Sequence, residues 1–195
     1  MRYPLNLRFK IAAIASQIYA TDTDGNSVFY VKQKLFKLKE NIEIYKDESK
    51  SQLLYTVKAD RIIDFSPEFG LHDHTGAVLG SVKRFGGKSF WKATYEIKVG
   101  EGFVCTVKET NPWAKVIDGF MTEVPVLGLL SGYVFHPHYV VLDASGNEIA
   151  QLDKLPAFLE GKYKIENTAI SLNEASQQVF AALMMVVVLR ERMRG

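Results

Sequence analysis

Residues 179–189 read VFAALMMVVVL, eleven consecutive positions without a polar side chain. Just ahead of them Ser171, Leu172, Asn173 and Glu174 match a capping box, and Arg190, Arg192 and Arg194 follow where a helix dipole favours cations. The pattern predicts a helix of about 20 residues, near 30 Å long, over 172–192. A helix that is apolar on every face has to be covered on every face. It falls short of the roughly 18 uninterrupted apolar residues that span a bilayer, which leaves the chain's own strands to surround it. Val186, Val187 and Val188 are also good strand residues, so a β reading of this stretch stays open.

Strand signals fill most of the remaining chain. Four places repeat one design, a β-rich run, an Asp-led turn and a second β-rich run: 18–32 around Asp22 to Gly25, 42–58 around Asp47 to Lys50, 70–84 around Asp73 to Gly76, and 139–153 around Asp143 to Gly146. Asp accepts local backbone N–H bonds and Gly supplies positive φ, so each predicts a hairpin. The first three turns recur about every 25 residues, as in a meander of antiparallel hairpins. A fifth hairpin is predicted where Trp91, Ala93, Tyr95, Ile97 and Val99 alternate with polar residues, turn at Gly100 to Gly102, and continue through Phe103, Cys105 and Val107. Leu5, Leu7, Phe9 and Ile11 alternate likewise, and the apolar run 11–15 is too short for a secretory signal. The total comes to roughly ten to twelve strands. Asn111, Pro112, Trp113, Val116, Ile117 and Phe120 predict one further short helix, ended before Pro125. The fold class expected is mainly β: a closed antiparallel barrel enclosing the C-terminal helix, as one domain over 1–195.

Composition excludes several functions. With 24 Lys plus Arg against 22 Asp plus Glu among 195 residues, the net charge is +2, too small for a nucleic-acid binder without a strong local basic excess. The single cysteine, Cys105, excludes an internal disulfide framework and lies on an apolar strand face, where an inert thiol is expected. A cytoplasmic protein, at most peripheral to a membrane, with no transmembrane segment, is expected.

The layout resembles the tubby-like architecture shared by tubby C-terminal domains, phospholipid scramblases and the LURP-one-related proteins, most closely the last. Residues 18–33 resemble its opening hairpin. Asp73 to Gly76, followed by Val78, Leu79, Gly80 and the basic Lys83 and Arg84, resembles its D-x-x-G turn, glycine-containing strand and basic residue. Residues 91–95, 123–132, 137–146 and 172–189 resemble later strands and the central helix. The resemblance implies the fold more firmly than an activity. Tubby domains bind phosphoinositide headgroups through basic side chains and scramblases act at membranes with calcium, but no tubby Lys/Arg pair aligns here and no calcium loop is found.

Residue by residue, little catalytic chemistry emerges. Gly86, Gly87, Lys88 and Ser89 resemble the end of a P-loop, but Val82 stands where its first glycine belongs and a strand pattern follows. Asp22 to Asn26 lacks the glycine and bidentate Glu of an EF-hand, with Ser27 and Gln33 in those places. His72 with His74, and His136 with His138, are spaced as two ligands on one face of an extended segment, yet no Cys or third His accompanies either pair. No catalytic residue, cofactor or metal is therefore expected. Two stretches are locally basic: Lys32, Lys34, Lys37 and Lys39, and Lys83, Arg84, Lys88 and Lys92. The second, with Phe85, Phe90 and Trp91 interleaved, is the candidate ligand site for anionic phospholipid headgroups. A non-enzymatic module of this kind is the leading expectation, and a regulatory protein that binds a partner protein and no lipid is the alternative.

Overall fold

The computed structural model describes residues 1–12, 15–34, 41–60, 68–85, 93–110, 137–157 and 161–192. The strands follow as β1 (Leu5–Ala12), β2 (Ala15–Thr21), β3 (Ser27–Lys34), β4 (Ile42–Tyr45), β5 (Leu53–Ala59) and β6 (Glu68–His72). Then come β7 (Val78–Arg84), β8 (Thr94–Val99), β9 (Phe103–Glu109), β10 (His138–Asp143), β11 (Glu148–Leu155), β12 (Gly161–Asn167) and the helix α1 (Glu174–Arg192). Each strand pairs antiparallel with its sequence neighbours, and β12 closes on β1, giving a closed twelve-strand barrel. The predicted helix near 111–120 and the loop at 86–89 lie outside the described residues.

Period-two alternation decides which side chains enter the barrel. Leu5, Leu7 and Phe9 of β1, Tyr95, Ile97 and Val99 of β8, and Cys105 and Val107 of β9 are buried inside, while the even-numbered residues between them face outward. An eight-strand barrel fills itself with side chains, and the diameter grows with strand number, so twelve strands leave room for a helix about 10 Å across. α1 occupies that room. All eleven residues from 179 to 189 are at most 7% exposed. Phe180 meets Phe103 edge to face, with 6.3 Å between ring centroids, and Leu183 lies against Gly80 of β7.

The helix starts two residues later than the capping box predicts. Asn173, not Ser171, is the cap: its Oδ1 accepts from the Ser176 N–H at 2.9 Å, and its carbonyl accepts from the Gln177 N–H at 2.9 Å. Asn serves at this position as well as Ser, and Glu174 keeps a carboxylate in the first turn.

All four Asp-led turns form as predicted. Gly25, Gly76 and Gly146 donate to the carbonyls of Asp22, Asp73 and Asp143 at 3.0–3.1 Å and take φ of 80°, 90° and 86°. In the remaining turn Lys50 holds that position at φ 58°. The Asp side chains complete the turns: Oδ1 of Asp73 accepts from the N–H groups of Thr75 and Ala77, and that of Asp143 from Ser145 and Asn147, all at 2.8–2.9 Å. Side-chain donors, from Ser49 to Asp47, Thr75 to Asp73 and Asn147 to Asp143, hold these carboxyls below the usual range, and the backbone N–H groups add to it. At Asp22 burial is the largest influence and works upward, but the donors of Asn26 and Asp24 outweigh it.

A carboxyl whose folded value is depressed stabilises the fold fully above its unfolded value, near 3.9, and loses that contribution as pH falls through the lower folded value. Melting temperature is therefore expected to fall on acidification from about pH 5 to pH 2, and Asp73→Asn with Asp143→Asn, which keep turn-forming side chains, should flatten that fall. An unchanged pH profile in the double variant would count against the turn carboxylates as its source.

Candidate functional site

The two ends of the barrel differ in charge. The hairpin turns gather Asp22, Asp24, Asp47, Glu48, Asp73, Glu101 and Asp143 at the end where α1 begins, against Lys46, Lys50 and Arg2, which pairs with Asp24. At the other end, where the odd-numbered strands finish, stand Lys32, Lys58, Lys83, Arg84, Lys108 and Lys154, with Arg190 and Arg192 from the last turn of α1. Glu43, Asp60, Glu68, Glu96, Glu109, Asp153 and Glu191 offset them only in part. The polarity agrees with the helix dipole, whose positive end faces the acidic turns and whose negative end faces the cations.

The predicted ligand site sits at this basic end, but β7 divides it. Lys83 and Arg84 are consecutive strand residues and so face opposite sides. Lys83 lies on the outer wall between Glu68 of β6 and Glu96 of β8. Both carboxylates have other partners: Ser81 Oγ donates to Glu68 at 2.5 Å, and Lys98 pairs with Glu96 at 3.2 Å. Lys83 itself makes no ion pair among the described residues. Arg84 is directed to the barrel mouth, opposite Tyr95, and its Nε is buried with no hydrogen-bond partner among the described residues. Phe85 follows, 50% exposed, its N–H bonded to the Thr94 carbonyl. Lys88 and Lys92 lie outside the described residues.

The mouth also holds a polar cluster that sequence reasoning missed. Glu191 places a carboxylate at the negative end of the helix dipole, an unfavourable position unless donors are supplied. Tyr95 donates to its Oε1 at 2.5 Å and Tyr139 to its Oε2 at 3.2 Å. Burial, then the charges of Glu191 and Glu109, pushes the Tyr139 hydroxyl far up, so it acts as a donor and not as a base. Arg190 stacks over Phe69 at 4.5 Å and Arg192 over Phe9 at 4.8 Å. Burial also moves the Arg192 guanidinium down. The only sequence sign of this cluster was an acid between two arginines directly after the apolar run.

The histidines and the cysteine offer less. His72 Nδ1 lies 3.1 Å from the Gly76 carbonyl oxygen, within its own turn, and His138 Nδ1 pairs with Asp153 across β10 and β11. His136 lies outside the described residues, and among those described no group of three His, Cys, Asp or Glu could hold a metal. Cys105 is buried, and desolvation pushes its thiol up to about 12, the reverse of what a nucleophile needs.

A closed meander threaded by its own C-terminal helix, which buries every face of that helix, defines a tubby-like barrel. The family model of the LURP-one-related proteins matches residues 27–125, just over half of the chain, and the protein belongs to that family. No curated protein and no solved structure matches it. Among the described residues no helix is long and apolar enough to cross a membrane.

Proposed function

We propose that the protein is a non-enzymatic binding module whose basic end contacts anionic phospholipid headgroups at the cytoplasmic face of a membrane. The observation that carries this reading is the exposed Phe85 ring beside Lys83 and Arg84, at the end where the barrel's cations collect. An apolar ring flanked by cations suits a headgroup layer, where the ring enters the interface and each basic side chain near the surface contributes about 1 kcal/mol. Lys88 and Lys92 follow Phe85 in sequence and complete the proposed patch.

Flotation with phosphatidylcholine vesicles carrying increasing phosphatidylserine tests it. Binding should rise with the anionic fraction and weaken as salt shortens the Debye length. Reversing Lys83 and Lys88 to Glu should lower binding by more than about tenfold, and Phe85→Ser should weaken it at unchanged salt dependence. Equal binding by wild type and the charge-reversed variant, or none by either at low salt, would overturn the lipid reading in favour of a partner protein.

A further inference from the structure

The outer wall across β12, β1 and β2 holds a groove of about 380 Å³ whose lining includes Arg8, Lys10, Tyr19 and Lys162. β1 pairs with β12 with Arg8 opposite Lys162, and with β2 with Arg8 opposite Tyr19, so Tyr19, Arg8 and Lys162 form one row across three strands. Lys10, two residues beyond Arg8, projects from the same face about 7 Å further along β1. All three cations are exposed.

Like charges directly opposite on neighbouring strands are destabilising, with Cβ atoms only about 5 Å apart. The carboxylates around the groove do not relieve the two lysines. Glu166 pairs with Lys164, Asp153 with His138, and Glu48 accepts from the Tyr19 hydroxyl at 3.1 Å. Lys10 and Lys162 make no ion pair among the described residues, and the Lys10 ammonium lies 5.1 Å from the Tyr19 ring centre.

We propose that this groove binds a phosphate-bearing anion, with Arg8 and Lys162 gripping it across the strands and Lys10 along β1. The guanidinium fork of Arg8 suits two phosphate oxygens, and the lysines supply point charges on either side. A triangle about 5 Å by 7 Å matches one or two phosphate groups better than a single carboxylate. The groove is separate from the Lys83 to Phe85 patch: β1 and β7 stand six strands apart in a ring of twelve, on opposite sides of the barrel. A phosphate could arrive on a soluble molecule or on a lipid headgroup, and the test separates the two.

Inorganic pyrophosphate is titrated calorimetrically into the full chain at low salt, and flotation is run in parallel with phosphatidylcholine vesicles carrying phosphatidic acid. Losing a hydrogen bond to a charged group costs about 1.5–3 kcal/mol, so Lys162→Glu should weaken pyrophosphate binding by at least about tenfold. Lys98→Ala, on β8 five strands away in the ring and outside both sites, should leave it unchanged. Pyrophosphate binding without flotation assigns the groove to a soluble phosphate, whereas flotation lost in Lys162→Glu and kept in Lys98→Ala assigns it to a headgroup. If Lys162→Glu does not fold, Lys10→Ala carries the same comparison with a smaller expected loss. No binding of either probe by the wild type, or equal affinity in wild type and the folded groove variants, overturns the proposal and leaves the reading of the basic end untouched.

Discussion

Val187→Asp is expected to leave the protein insoluble, and deletion of residues 171–195 is expected to do the same. Val187 is fully enclosed by the barrel, in the middle of α1. A carboxylate there has no partner among its apolar neighbours, and the burial costs several kcal/mol against a total stability of about 5–15 kcal/mol. The deletion acts differently, by removing the side chains that fill the interior. Leu7, Ile97, Val107 and Val141, now buried inside the barrel, would face a void, and cavity cost rises by about 24 cal/mol per Å³. Val187→Ala serves as the control and should remain soluble with a lowered melting temperature. Solubility after expression and a thermal scan of the truncated chain are the measurements. A cooperative transition in the truncated protein would show that the barrel folds without its helix and would refute the buried-helix architecture.

What the sequence revealed and what it hid follow from the range of the interactions involved. The hairpins were legible because their chemistry is local: Asp143 binds the N–H groups of residues 145 and 147, and Gly146 takes the positive φ, all within five residues. The core helix was legible because eleven apolar residues leave only burial as an outcome. Its first residue was harder to place, since Ser171 and Asn173 are both good caps and only the fold selects Asn173.

The sites depend on contacts that span the chain. Glu191 is held by Tyr95 and Tyr139, 96 and 52 residues away in sequence, and no local pattern announces that meeting. Arg8 meets Lys162 only because β12 closes on β1. The basic run at Lys83 and Arg84 shows the opposite error, where adjacency in sequence suggested one patch but strand alternation sends the two side chains to different sides. Period two, applied to the charged residues as it was to the apolar ones, would have separated them.

Gly80→Val is expected to lower the melting temperature by about 2–12 °C, because β8 and α1 both crowd Gly80 of β7. A Cβ built there collides with the carbonyl oxygen of Lys98 on β8 and stands 3.0 Å from Cδ1 of Leu183 on α1. Leu183 can yield by rotating the end of its side chain. The Lys98 carbonyl cannot, since it belongs to the ladder in which Gly80 pairs with Val99 and the Gly100 N–H bonds the Leu79 carbonyl at 2.9 Å. Overpacking of this kind costs about 1–3 kcal/mol or more, and in a chain of this size each kcal/mol is worth about 2–4 °C. The two obstacles can be separated by combining Gly80→Val with Leu183→Ala. If the helix side chain were the main obstacle, the double variant would melt above Gly80→Val alone; if the β8 carbonyl is, as its rigidity argues, the loss of Leu183 only adds a cavity and the double variant melts lower. A Gly80→Val protein melting within about 2 °C of wild type would mean that the barrel wall stands farther from its helix than the close approach at Gly80 requires.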